Sequence, residues 1–330
     1  MNKTVKKILI TLTVVIVGCV NDESKKTETL VVQTAIQSPD FDVDTAYYFV
    51  EKQVSFGPRV PNSSSHRQCA DFLINTLKNY ADTVIVQNFE IRAYNGANLR
   101  SKNIIASFKP NMQKRILLAA HWDSRPYADH DPDPTNSRKP IDGANDGASG
   151  VGILLEIARQ LSINEPVVGV DIILFDAEDY GAPEEERRAS DENTWCLGAQ
   201  FWATHPHTPN YRAKYGILLD MVGAKNATFT KEGASMHFAP DIVGNVWAKA
   251  QALGFGNYFQ NQETSALIDD HIPINTHRNI PTIDIIDRRT TTVSGFYEHW
   301  HTLQDNMETI DKQTLSAVGK VVLYMVKNEN

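Results

Sequence analysis

The chain reads as a single α/β domain with a mostly parallel central β-sheet covered by helices on both faces. Three observations predict this. Apolar runs alternate with helical patterns from about residue 40 onward, as in strands joined by crossover helices. Several of those runs are near-continuous Val, Ile and Leu, the mark of strands buried on both faces. No internal repeat or linker interrupts the alternation. With 330 residues, 42% of them hydrophobic and 22% charged, the chain is long enough for a sizeable core.

Taken in order, the spacing predicts helices over 45–54 and 64–79, then strands over 83–89, 103–108 and 115–120. The next helix, over 148–162, carries Val151, Leu154, Leu155, Ala158 and Leu161 at helical spacing. A strand over 168–175 and a helix over 199–204 follow, then a strand over 215–219. The remaining elements are a helix over 240–253, a strand over 282–286 and a helix over 312–327. Residues 182–193 are rich in Glu, Arg and Ser and read as a solvated surface insertion.

The start of the sequence reads as an address. Lys3, Lys6 and Lys7 precede an apolar run, Ile8 to Val17, that is too short to span a bilayer and fits a signal-peptide core. Its ending, Ile16-Val17-Gly18-Cys19, resembles the lipobox of bacterial lipoproteins. That resemblance implies a signal peptide over 1–18, a diacylglycerol on the Cys19 thiol and a polar tether over 19–40. The catalytic domain would then cover 41–330, exported and anchored on the periplasmic or cell-surface side. An ordinary secretory signal with a chance Cys is the alternative. A net charge of −8 without a basic run argues against a nucleic-acid partner. Three Cys, at 19, 69 and 196, make neither a disulfide framework nor a Cys-based zinc site, and Cys69 and Cys196 read as small buried residues.

The informative residues follow the strands, where open α/β sheets bind ligands. The strand at 115–120 ends in His121-Trp122-Asp123, that at 168–175 in Asp176-Ala177-Glu178-Asp179, and that at 215–219 in Asp220. Asp142 and Asp146 precede the helix at 148, and Asp269-Asp270-His271 and His299-Trp300-His301 come late. Singly, each reads as well as a cap, a turn or a surface residue. Together, apolar strands that each stop at a carboxylate or imidazole are hard to explain by packing, because buried carboxylates are costly unless paired or metal-bound. A mixed His, Asp and Glu set without Cys suits catalytic zinc. No G-x-S-x-G elbow, H-E-x-x-H helix, phosphate-binding loop or G-x-G-x-x-G run competes.

In this order the motifs resemble the zinc aminopeptidase clan and, within it, the glutaminyl cyclases, or glutaminyl-peptide cyclotransferases, in their bacterial form. The supporting runs are Phe56-Gly57-Pro58-Arg59-Val60-Pro61 with His66, His121-Trp122-Asp123-Ser124 and Phe175-Asp176-Ala177-Glu178-Asp179. They continue with Leu219-Asp220-Met221-Val222-Gly223-Ala224, Ile268-Asp269-Asp270-His271-Ile272-Pro273, Trp300-His301-Thr302 and Asp305-Asn306. The resemblance implies conversion of an N-terminal Gln to pyroglutamate with release of ammonia, the partners being peptides or proteins that begin with Gln. It implies one zinc per chain, held by Asp146, Asp179 and His301, and Glu178 as general acid/base. Asp220 and Asp269 would form a carboxylate network beside Glu178, Trp300 and Trp195 would line the substrate pocket, and His121, Asp270 and His271 would stand behind these groups.

Three departures qualify the resemblance. Asp179 stands where animal cyclases carry Glu, so the loop or the metal must sit one methylene closer. The Cys pair that flanks the metal region in animal cyclases is missing. Gly147-Ala148-Ser149-Gly150 is closer to the aminopeptidase wording. A di-zinc aminopeptidase is the sharpest rival, since His121, Asp146, Asp179, Asp220 and His301 also make a complete two-metal set with Glu178 activating water. Trp300 before His301 and the doubled acid before His271 favour the cyclase. A surface lipoprotein that only binds peptides is a third reading, against which stands the retention of every proposed catalytic residue.

Overall fold

The computed structural model describes residues 36–186 and 194–329. The expected signal segment, Cys19, most of the tether and residues 187–193 of the insertion lie outside the described residues.

Among the described residues, eight strands form two sheets. They are β1 (Thr83–Arg92), β2 (Asn98–Phe108), β3 (Arg115–His121), β4 (Gly169–Phe175), β5 (Gly216–Asp220), β6 (Phe229–Lys231), β7 (Phe259–Glu263) and β8 (Thr282–Ile286). The central sheet runs β1-β2-β4-β3-β5-β8, and β6 and β7 make a separate two-stranded sheet. Strands β4, β3, β5 and β8 pair in parallel, while β1 and β2 add antiparallel partners at one edge. The fold is therefore a mixed α/β sheet with a parallel centre. The α-helices are α1 (Val43–Val54), α2 (Ser64–Lys78), α3 (Ala148–Ile163), α4 (Leu197–Thr204), α5 (Gly233–Phe238), α6 (Pro240–Ala252), α7 (His271–Arg278) and α8 (Lys312–Lys327).

The period of two places alternate strand residues in different layers. Ile116, Leu118 and Ala120 of β3 pack with α1, α3, α6 and α8 on one face. Leu117 and Ala119 pack with Ala199 and Trp202 of α4 and Ile274 of α7 on the other. Local chemistry sets the helix starts: Asp42, Ser63 and Asp311 accept backbone N–H groups at the first turns of α1, α2 and α8.

Two differences from the sequence expectation have a physical reason. Strand β2 begins at Asn98 rather than 103, because the polar stretch 98–102 pairs along its length with β1, from Arg92↔Asn98 to Asn88↔Lys102. The exposed edge of a hairpin needs no apolar run to form. Strands β6 and β7 and helices α5 and α7 lack a pattern long enough to show in the sequence. Both remaining cysteines, Cys69 and Cys196, are free and buried.

Candidate active site

The parallel strands all point the same way, so their last residues converge. His121 is the final residue of β3 and Asp220 the final residue of β5, its neighbour. The turn after β4 carries Glu178 and Asp179, and the loop before α3 carries Asp146. Sharp turns at these strand ends require unusual backbone: Ala177 and Met221 are left-handed, at φ 55° and 48°, and so is His301 in the loop after β8, at 55°. Such conformations persist only where the surroundings enforce them, and they cluster at functional sites. Gly147, at φ 78°, is needed for a further reason: a Cβ there would come within 2.7 Å of the His121 ring.

The turns are held from behind. Asp123 accepts the N–H groups of Glu178 and Asp179 at 3.1 and 3.3 Å. Asp305 accepts those of Asn145 and Asp146 at 2.8 and 3.0 Å. Burial and the nearby Asp146 push the Asp305 carboxyl up to about 7. Truncating it should loosen the Asp146 loop without touching a ligand atom. We expect Asp305→Ala to keep the fold and lose about 10–100-fold in metal affinity, read by competition with a chelator.

Asp146 stands at the centre of two buried trios, His121–Asp146–Asp220 and Asp146–Asp179–His301, each with its ligand atoms within 4.8 Å of one another. One carboxylate oxygen faces each side: Asp146 Oδ1 lies 3.1 Å from His121 Nε2, and Oδ2 lies 3.5 Å from His301 Nε2. His301 Nε2 is also 3.3 Å from Asp179 Oδ1. Ligands about 2.0–2.1 Å from a tetrahedral zinc stand roughly 3.3 Å apart, so the second trio has the spacing of a zinc site. Asp179 Oδ2 is buried without a hydrogen-bond partner. An orphaned carboxylate oxygen beside a mixed His and Asp donor set fits a divalent metal. On the other side, His121 hydrogen-bonds Asp220 at 3.1 Å.

Glu178 stands beside both trios. Cys196 donates its S–H to Glu178 Oε1 at 3.3 Å, and Asp269 joins these two in a further convergent group. Burial, and after it the negative charges of Asp179, Asp269 and Asp270, holds the Glu178 carboxyl well above the ordinary glutamate range, against the pull of His121. Asp220 is pushed up to about 7, by burial first and then by Asp269 and Asp146. Buried acids this close share protons rather than all ionising.

The other residues singled out in the sequence also fall here. A cavity of about 80 Å³ is lined by Asp146, Glu178, Asp179, Asp220, Asp269, Trp195, Trp300 and His301, with Met221, Leu267, Ile268, Ile286 and Phe296 completing its apolar wall. Trp300 stacks on His301 with ring centres 3.8 Å apart, and Trp195 lies parallel to the same ring at 6.3 Å. Asp270 adjoins Asp269, whose Oδ1 accepts the Asp270 N–H at 2.5 Å. His271 opens α7 and lies 3.3 Å from Glu232, one layer behind the cavity. The cavity-lining Phe296 was not singled out, nor were Arg125 and Asp129, and Cys196 was read only as a small buried residue. Asp129, 3.4 Å from His301 Nδ1, sits eight positions after His121 in an irregular loop, so no spacing rule marks it.

A parallel α/β sheet whose strand ends gather this donor set defines the class of metal-dependent exopeptidase-type enzymes. Residues 103–326 match peptidase family M28, and the chain belongs to that family. Its solved relatives include a Zn-dependent exopeptidase from Parabacteroides distasonis, 54% identical, covering 89% of this chain and 100% of that one with a TM-score of 0.87. The glutaminyl cyclase of Bacteroides thetaiotaomicron is 49% identical over the same shares of each, also with a TM-score of 0.87. The bovine glutaminyl-peptide cyclotransferase is 28% identical over 259 residues, which is 68% of this chain and 65% of that protein. The chain thus spans just under two thirds of the length of that animal relative.

Proposed function

We propose that the protein is a glutaminyl-peptide cyclotransferase, which closes an N-terminal Gln of a peptide or protein to pyroglutamate and releases ammonia. The observation that carries this reading is the small cavity. A carboxylic acid, a metal-type trio and two indole rings all line this one small space. The solved relatives that match most of its length, a glutaminyl cyclase among them, support it.

Asp146, Asp179 and His301 would hold one zinc, which would supply Lewis-acid polarisation of the substrate γ-carbonyl and stabilise negative charge developing on its oxygen. The α-amine of the same residue attacks that carbonyl carbon. A bond forms between the amine nitrogen and the carbon as the bond from that carbon to the amide nitrogen breaks. Glu178 takes a proton from the attacking amine and returns one to the leaving nitrogen, which departs as ammonia. Asp220 and Asp269 share protons with Glu178 and keep it poised for both transfers. Because the nucleophile is tethered, the site gains most by holding the bent conformer, the task of Trp300 and Trp195. His121 belongs to this network through its 3.1 Å hydrogen bond with Asp220.

The second reading, a di-zinc aminopeptidase, is favoured by the convergence of His121, Asp146 and Asp220. One assay separates the two. A peptide beginning with Gln, incubated with the protein and followed by mass, should lose one ammonia and otherwise stay intact. Release of free Gln would overturn the cyclase and make His121 and Asp220 ligands of a second metal.

Among the described residues no helix is long and apolar enough to cross a membrane. We place the catalytic domain at 41–330, behind a signal peptide at 1–18 and a tether at 19–40 with a lipid on Cys19, on the periplasmic or cell-surface side. Labelling of the full-length protein with a radioactive fatty acid, lost in Cys19→Ala, tests the anchor.

A further inference from the structure

We propose that Arg125 is a positioning residue that holds the ligands Asp179 and His301 and the pocket wall Trp195 in one register. This rests on the zinc-cyclase reading above. Arg125 lies in the loop after β3 and is 1% exposed. All three nitrogens of its guanidinium donate. Nε and Nη2 fork onto Asp129 at 2.7 and 2.6 Å. Nη1 donates to the backbone carbonyls of Asp179 and Gly181 at 3.1 and 3.3 Å, and lies 3.4 Å from Asp179 Oδ1. The guanidinium carbon stands 4.7 Å over the Trp195 ring.

Each contact leads to a different part of the site. Asp129 Oδ1 is 3.4 Å from His301 Nδ1. The contact is an ion-pair distance and not a hydrogen bond, and the negative charge of Asp129 favours the proton on Nδ1, which leaves Nε2 for the metal position. The Asp179 carbonyl, gripped by Arg125, and the Asp179 N–H, gripped by Asp123 at 3.3 Å, set where this short ligand stands. The third contact reaches the wall: a Cβ on Gly181 would come within 2.0 Å of Trp195, so the segment that Arg125 grips is also the one the indole packs on.

A buried cation beside a cation-binding site is otherwise an electrostatic burden. Arg125 is tolerated because carboxylates outnumber it, and Arg is needed because only a rigid fork can serve three directions at once. Lys would keep the charge and lose the fork.

The test uses Arg125→Lys, Arg125→Gln and the double variant Arg125→Gln/Asp129→Asn, the last because Arg125→Gln alone leaves Asp129 as an uncompensated buried charge. Two quantities are read on zinc-loaded protein well below its melting temperature: the rate of zinc release into a colorimetric chelator and KM for a Gln-initiated peptide. We expect release about 10–100-fold faster and KM raised about threefold or more as Trp195 loses its flanking cation. A merely structural role would lower Tm and leave both quantities unmoved. Wild-type release and KM in any folded variant would overturn the proposal alone. Wild-type protein that retains no zinc would sink the metal reading, and this proposal with it.

Discussion

Glu178→Gln should leave zinc content at the wild-type level and reduce turnover by about 10²–10⁴-fold, the usual worth of positioned acid/base transfer. The amide keeps the shape of the carboxylate and its contact with Cys196, but it can neither take the amine proton nor deliver one. Metal analysis beside a Gln-peptide assay checks both halves. Activity within about tenfold of wild type would remove Glu178 from the role assigned to it. The same residue fixes the pH dependence. Burial and the neighbouring Asp179, Asp269 and Asp270 raise its pKa above the ordinary 4.5. The base works ionised, so kcat/KM should fall as pH drops, on a limb lying above that value. Glu178→Gln should flatten the limb as well as lower the rate.

His301→Ala is expected to lose metal and activity together. His301 stands 3.3 and 3.5 Å from its two carboxylate partners, and its removal leaves Asp146 and Asp179 facing each other without the imidazole. Like charges so close favour protonation over a metal of reduced affinity. Zinc stoichiometry after dialysis, with activity measured on the same sample, is the check. A variant with full zinc would move the ligand elsewhere, His299 being the nearest candidate in the sequence.

The two substitutions separate roles that chemistry alone does not. Both residues lie in one cavity, but only His301 carries a nitrogen pointed at the metal trio. Asp305→Ala and the Arg125 variants extend the series outward, to groups that act through a ligand's backbone or its far nitrogen. Together they distinguish losing the metal, loosening it and idling it.

Much of this was legible in the sequence. The runs at 115–120 and 168–175 announced strands buried on both faces, and the structure places β3 and β4 there, at the centre of the sheet. Most candidate site residues were marked by their place at a strand end, before a helix or in a late motif, because backbone geometry forces parallel strands to deliver their last residues to one edge; Trp195 was implied only by the resemblance. The pattern was local, and local patterns survive translation into a linear text.

What the sequence left open is long-range. The polar half of β2 is a strand only because β1 lies beside it. Asp146 has an oxygen turned to each of two histidines 25 residues upstream and 155 downstream, a division that depends on how α3 packs under the sheet. Asp129 and Arg125 carry no periodic signal at all; they matter because one buried guanidinium reaches a ligand's carbonyl, a histidine's partner and an indole. Residue type and spacing determined the fold class and the donor chemistry, since those follow from what individual residues can do; the acid/base role of Glu178 was implied only by the family resemblance. Which groups face each other, and at what distance, was decided only in the tertiary structure, because hydrogen bonds and metal coordination act over a few ångströms between residues that lie far apart along the sequence.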